Sequence, residues 1–279
     1  MAATMTAARR RGGTARVLFL TWTALVFLFL FLPILVVVIY SFNGGRNLYI
    51  WTEFSTDWYG RALASPRVVS ALTVSLQSAA INAVIAVALG VPAGIALARR
   101  KGRWTAPFLA LLFVILGTPE LVSAIGQMIW FDRIGLYDGL LRLAVGHSLF
   151  NIAVVALIVR ARAEGLGEAL EEAAADLGAR PWRHFLDITL PLMFPAVLAG
   201  VLLAFTFSFD DVIISLFVQR PGTSTLPIYI LSSFKPGLKG DVAAIVVITL
   251  AVSLAGVLAA AALLMWQKGR SRRLGGMLG

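Results

Sequence analysis

The chain has 279 residues, 59% of them hydrophobic and 14% charged, with a mean hydropathy of +0.87. An ordinary soluble domain is about half apolar, so this composition excludes one and points to a polytopic membrane protein. The formal net charge of +10 would suggest nucleic acid in a soluble chain, but the basic residues sit in short blocks between apolar runs, as membrane topology requires, so no nucleic-acid partner is expected. Cysteine is absent and histidine occurs only at His147 and His184, which leaves no disulfide, no cysteine nucleophile and no metal cluster.

A membrane span needs ~20 apolar residues to cross ~30 Å of hydrocarbon. Six runs meet this length and predict an all-α protein with spans at Val17 to Ser41, Ser70 to Ala98, Trp104 to Trp130, Leu143 to Val159, Pro191 to Phe217 and Val242 to Gln267. Arg9, Arg10 and Arg11 ahead of the first run imitate a signal peptide. That run is about 25 residues long, however, and no small-residue cleavage site follows it, so it reads as a retained helix. After it, Trp51 to Leu63 carries Trp51, Trp58 and Tyr59, rings that favour the headgroup level and suit a short interfacial helix.

The third run contains Gly117, Thr118, Pro119 and Glu120. Pro119 removes a backbone donor and predicts a kink, with freed carbonyls beside the Glu120 carboxylate as a candidate cation site. The fourth run holds His147, which is expected to be a hydrogen-bonding interior residue, because Gly146-His147-Ser148-Leu149-Phe150 lacks the second glycine of a nucleophile elbow.

Ala161 to Pro191 is the long polar insert. Leu166, Leu170, Ala173 and Leu177 recur at helical spacing, with Glu168, Glu171, Glu172 and Asp176 off that face. Gly178 then suits a left-handed cap, Pro181 starts a second short helix, and Pro191 marks a fresh start. The fifth run ends in the adjacent pair Asp210 and Asp211, which point about 100° apart on a continuous helix, so that one faces the pore and the other a neighbour. Measured from Pro191, Asp210 lies about 28 Å up that span, in the outer half of the bilayer. The following loop, Arg220 to Asp241, holds Ile228 to Leu231 between prolines and predicts another short helix.

Of 14 acidic residues, only Glu120, Asp210 and Asp211 fall inside these spans, and none of the 24 basic residues does. A carboxylate at mid-membrane costs about 2.5 to 3.5 kcal/mol, so each should face a cavity or a partner, and an incoming cation would serve. Phe205, Phe207, Phe209, Trp130 and Phe131 could add ring faces to an ammonium group. The amino tail, the Ala98 to Trp104 connection, the polar insert from Arg160 and the carboxyl tail hold four Lys or Arg each, 16 of 24. The remaining loops of similar total length hold half as many, which places both termini and the insert on the cytoplasmic side.

No phosphate loop of the G-x-x-x-x-G-K-[ST] type occurs, so no ATPase site and no cofactor are expected in this chain. Glu172, Ala173, Ala174, Gly178, Ile188, Leu190 and Pro191 match the EAA motif at every position, and here the chain resembles ABC importer permeases. The resemblance implies the six-helix type I permease fold, with Glu172, Ala173, Ala174 and Gly178 in the helix that docks on a cytoplasmic ATPase. Pro119-Glu120, Ser208 to Ser215 and Leu226-Pro227-Ile228-Tyr229 are similar to the second permease subunit of spermidine/putrescine importers. Iron, thiamine and phosphonate importers carry related patterns.

The resemblance further implies half of a twelve-helix pore in a bacterial inner membrane. It implies as partners a companion permease, ATP-binding subunits that hold ATP and Mg, an extracytoplasmic substrate-binding protein and the lipid bilayer. Glu120, Asp210 and Asp211 are the candidate substrate-pathway residues. The domain reading is a tail over 1–16, a permease domain over 17–267 with the coupling segment at about 161–190, and a tail over 268–279. An ion-gradient-driven transporter or channel, and a structural subunit whose partner lines the whole pore, are the readings from other classes.

Overall fold

The computed structural model describes residues 2–45, 50–100, 102–166, 176, 178, 180, 183, 185–233 and 240–275. The described elements are α1 (Ala2–Tyr40), α2 (Asp57–Ala64), α3 (Pro66–Arg99), α4 (Thr105–Gly117), α5 (Glu120–Arg133), α6 (Gly139–Leu166), a π-helical turn (Phe185–Thr189), α7 (Leu190–Phe209), α8 (Ile213–Val218), α9 (Leu226–Ser233) and α10 (Gly240–Gly275). Among them, five helices are long and apolar enough to cross a membrane, and α4 with α5 makes a sixth if that bent pair is one span. Chain contacts divide the protein into two compact units, Met1–Ala64 with Pro236–Ile248, and Ser65–Lys235 with Thr249–Gly279.

In the first unit, α1 leaves its apolar side chains exposed over most of its length. Buried Asn43 organises the turn after it. Its Nδ2 donates to the Ile50 carbonyl at 2.7 Å, its Oδ1 accepts from the Thr52 N–H at 3.0 Å, and its own carbonyl accepts from Trp58 Nε1 at 2.9 Å. Ser41 and Tyr59 share a 2.6 Å hydroxyl contact, and Phe42 stacks on Phe54. The interfacial helix expected between Trp51 and Leu63 is present as α2, with Trp58 and Tyr59 on it and Trp51 ahead of it.

The second unit is built on α3, α6 and α7, whose contact faces are written in small residues. Ala79, Ala83 and Ala86 of α3, Ala153, Ala156 and Ala163 of α6, and Ala204 of α7 are buried. At Gly90 an added Cβ would lie 2.8 Å from Val155 Cβ; at Gly94 it would lie 2.5 Å from the Ala156 carbonyl oxygen. Gly90 and Gly94 thus form a small-xxx-small pair that lets two backbones approach, as packing between helices in lipid favours. Two buried asparagines bridge the helices of this core. Asn82 Nδ2 donates to the Ala204 carbonyl at 2.8 Å, and Asn151 Nδ2 donates to Asn82 Oδ1 at 3.2 Å.

Two sequence expectations change here and one is met. The third span is more than kinked: α4 and α5 are bent by 103° at a short break, because Pro119 holds Thr118 extended at ψ 128° and itself caps α5. Pro191 does mark a start: the π turn Phe185–Thr189 ends just before it and Pro191 stands in the first turn of α7, where a missing donor costs nothing. The fifth span stops at Phe209 and resumes at Ile213, so it is two helices rather than one continuous run to Phe217.

Arg142 is a further departure: one residue before the fourth apolar run in the sequence, it lies on α6, a span-length helix, and is 1% exposed. Its Nε donates to the Val218 carbonyl at 2.9 Å, its Nη1 donates to the Leu136 carbonyl and Asp132, and it stacks over Phe131. Burial is tolerated because the guanidinium finds fixed acceptors around its fork.

A cavity between two broken spans

Both helix breaks open onto one cavity of about 760 Å³. Thr118 and Glu120 reach it from the first break, and Asp210, Asp211 and Val212 from the second. Each break supplies a helix C-terminus whose last carbonyls lack intrahelical partners, an arrangement that favours a cation. Glu120, Ser123 and Gln127 line the cavity at i, i+3, i+7 along α5, and His147 and Asn151 do so one turn apart on α6.

The three sequence-predicted acids therefore line one cavity, and Asp210 and Asp211 diverge as expected, the first open to the cavity and the second held against α6. The divergence arises at a break rather than along a continuous helix, with Asp210 at the cap of α7 at φ −94°, ψ 1° and Asp211 bonded to the start of α8. The Ser215 N–H donates to Asp211 Oδ1 at 2.7 Å. The same carboxyl oxygen lies 3.1 Å from His147 Nε2, with only 7% of the Asp211 side chain exposed. The Glu120 carboxyl stands beside that of Asp211, while Asp210 is exposed to the cavity.

The cavity wall is acidic. Three carboxyls line it, and Gln127 Oε1 and Asn151 Oδ1 are buried oxygens with no hydrogen-bond partner among the described residues. Buried acceptors are seldom left unpaired without a reason. No Lys or Arg is among the lining residues. The aromatic expectation narrows to Phe207, which lines the cavity edge-on to Phe150 at 5.9 Å. Phe205 and Phe209 stack on each other, Phe131 is buried beneath Arg142, and Trp130 is exposed away from the cavity.

His147 is buried and hydrogen-bonded, as expected, but its contact with Asp211 is one that sequence reasoning missed. The polar stripes on α5 and α6 were the available signal. At the polar insert, Gly178 has φ +76° and is exposed, the left-handed conformation expected of it, while Glu172, Ala173 and Ala174 lie outside the described residues.

The model of the family described as "Binding-protein-dependent transport system inner membrane component" matches residues 90–269. The chain belongs to that family. Two relatives from Escherichia coli K12 extend the match over most of the sequence. The putrescine transport system permease protein PotI is 36% identical over 84% of this chain and 86% of its own. The spermidine/putrescine transport system permease protein PotC is 35% identical over 84% of this chain and 89% of its own.

Among solved structures, a bacterial ABC transporter involved in import of the acidic polysaccharide alginate aligns with a TM-score of 0.68 at 18% identity. That alignment covers 92% of this chain and 96% of the other, and it shows the shared fold. As a binding-protein-dependent permease the chain is an inner-membrane transport component of the ABC importer class rather than an enzyme. Its three cavity acids lie on the elements that the family model covers.

Proposed function

We propose that this permease carries a small organic polycation, a polyamine such as putrescine or spermidine, and that the cavity between the two breaks is its path. The observation that carries the reading is the wall itself, with three carboxyls and no Lys or Arg. A ligand rich in N–H donors and positive charge complements such a wall; an anionic ligand would meet repulsion. The printed functions of the two enterobacterial relatives support the same class.

In this reading both termini are cytoplasmic, the chain has no ATP site of its own, and residues 1–16, 17–267 and 268–279 are tail, permease domain and tail. A companion permease completes the pore, and an external binding protein delivers the solute. Cytoplasmic subunits hydrolyse ATP and engage the segment from Glu172 through Ala173 and Ala174 to Gly178. A glycine at φ +76° supports that last role, since it turns the chain sharply where a docking element must end.

ATP-dependent uptake of labelled putrescine, spermidine and thiamine by the reconstituted complex tests the proposal. Saturable uptake of a polyamine is expected. Uptake of thiamine alone, or polyamine movement driven by an ion gradient without ATP, contradicts it.

A further inference from the structure

The imidazole of His147 occupies an unusual place: one ring touches both sides of the break in the fifth span. Its Nδ1 lies 2.7 Å from Ser208 Oγ at the end of α7, and its Nε2 lies 3.1 Å from Ser215 Oγ on α8. The same Nε2 is 3.1 Å from Asp211 Oδ1 inside the break. His147 and Ser208 are each 2% exposed and Ser215 is fully buried. No proline lies between Phe209 and Ile213 to enforce the interruption, so side-chain contacts must hold it.

The partners fix the ring's proton. Asp211 Oδ1 already accepts the Ser215 N–H at 2.7 Å, so it faces Nε2 as an acceptor and Nε2 carries hydrogen. Ser208 Oγ is the partner at Nδ1. With donors converging on one oxygen, Asp211 is held on the side of the break where the Glu120 carboxyl stands. Asp210, with no such clamp among the described residues, remains open to the cavity.

We propose that His147 is a positioning residue. It pins the break and orients Asp211 toward Glu120, so that carboxyls from the two broken spans act as one cation-reading pair, separate from the freely exposed Asp210. His147 itself touches no solute in this assignment; it acts through Asp211. Other titratable groups that line the cavity are Glu120, Asp210 and Asp211. The transport half of the inference rests on the polyamine reading above, while its geometric half does not.

Two measurements test it. In the full chain purified in detergent, His184→Gln leaves His147 as the sole imidazole, and ¹⁵N-histidine NMR reports where its hydrogen sits. The expected spectrum shows hydrogen on Nε2 and changes with Asp211→Asn and with Ser208→Ala. Hydrogen on Nδ1 alone, or a spectrum indifferent to both substitutions, overturns the assignment whatever the solute.

In the reconstituted complex supplied with labelled putrescine, His147→Leu should raise KM about tenfold while Vmax changes less than twofold. His147→Gln, whose amide keeps a donor for Asp211, should recover most of that loss, and His147→Leu should add little to Asp211→Leu. Reduced Vmax at unchanged KM marks ordinary packing and overturns the proposal. If the leucine variant does not assemble, Ser208→Ala combined with Ser215→Ala carries the same KM test. A wild-type complex that ignores putrescine refutes the solute reading and leaves the NMR result to decide the geometry.

Discussion

The core of α3, α6 and α7 and the cavity beside it treat polar groups in opposite ways. In the core, Asn151 donates to Asn82, Asn82 donates to the Ala204 carbonyl, and glycines bring the backbones together. In the cavity the helices are interrupted, and three carboxyls gather with no Lys or Arg among the lining residues. The core joins its helices through these contacts; the cavity gathers carboxyls, which on the proposed reading a cationic solute would meet. Asn151 belongs to both, with its amide nitrogen in the core network and its side chain among the cavity-lining residues.

The sharpest way to break the core side is Gly94→Val, because its new Cβ would meet a backbone oxygen at 2.5 Å that cannot turn aside. Overpacking of ~2 kcal/mol, about thirtyfold, should appear as loss of folded permease in detergent-stability assays. Gly126→Ala, with nothing within 4 Å of the added carbon, should leave folding unchanged. Equal behaviour of the two variants would mean that close approach of helices is not what holds the core.

A smaller effect is expected outside both regions. Gly178→Val forces a β-branched residue into φ +76° at a cost of ~1–2 kcal/mol. ATP hydrolysis should continue while uptake falls about tenfold, a ratio read from parallel assays on one preparation. Normal coupling in that variant would remove the role of this turn.

The smallest change sharpens the contrast between the breaks. Pro119→Ala restores a donor and relaxes Thr118, worth ~0.4–1 kcal/mol, so putrescine KM should rise about threefold without loss of folded protein. A larger loss would mean that proline alone sustains the 103° bend.

The legibility of these features follows their physical range. The break at Pro119 was readable because its cause is local, a missing donor and a restricted neighbour; only its angle was underestimated. The break at Asp210 was hidden inside a continuous apolar run, because its cause lies on another helix, at His147. Burial of Arg142 was hidden for the same reason, as its acceptor at Val218 comes from a distant segment. Other signals were present and unused. Gly90 and Gly94 stand four apart, and Glu120, Ser123 and Gln127 form a polar stripe that could have been assigned to a cavity from spacing alone. The three acids themselves were legible, since a carboxylate in an apolar run has few affordable positions.

The account rests on those acids meeting a cation, and kcat/KM for labelled putrescine in the Glu120→Gln, Asp210→Asn double variant measures this directly. Two lost charge-assisted contacts at ~1.5 kcal/mol each predict a drop of about a hundredfold, with folded complex still present. A value within twofold of the unaltered complex would contradict the claim that this cavity is the cation's path.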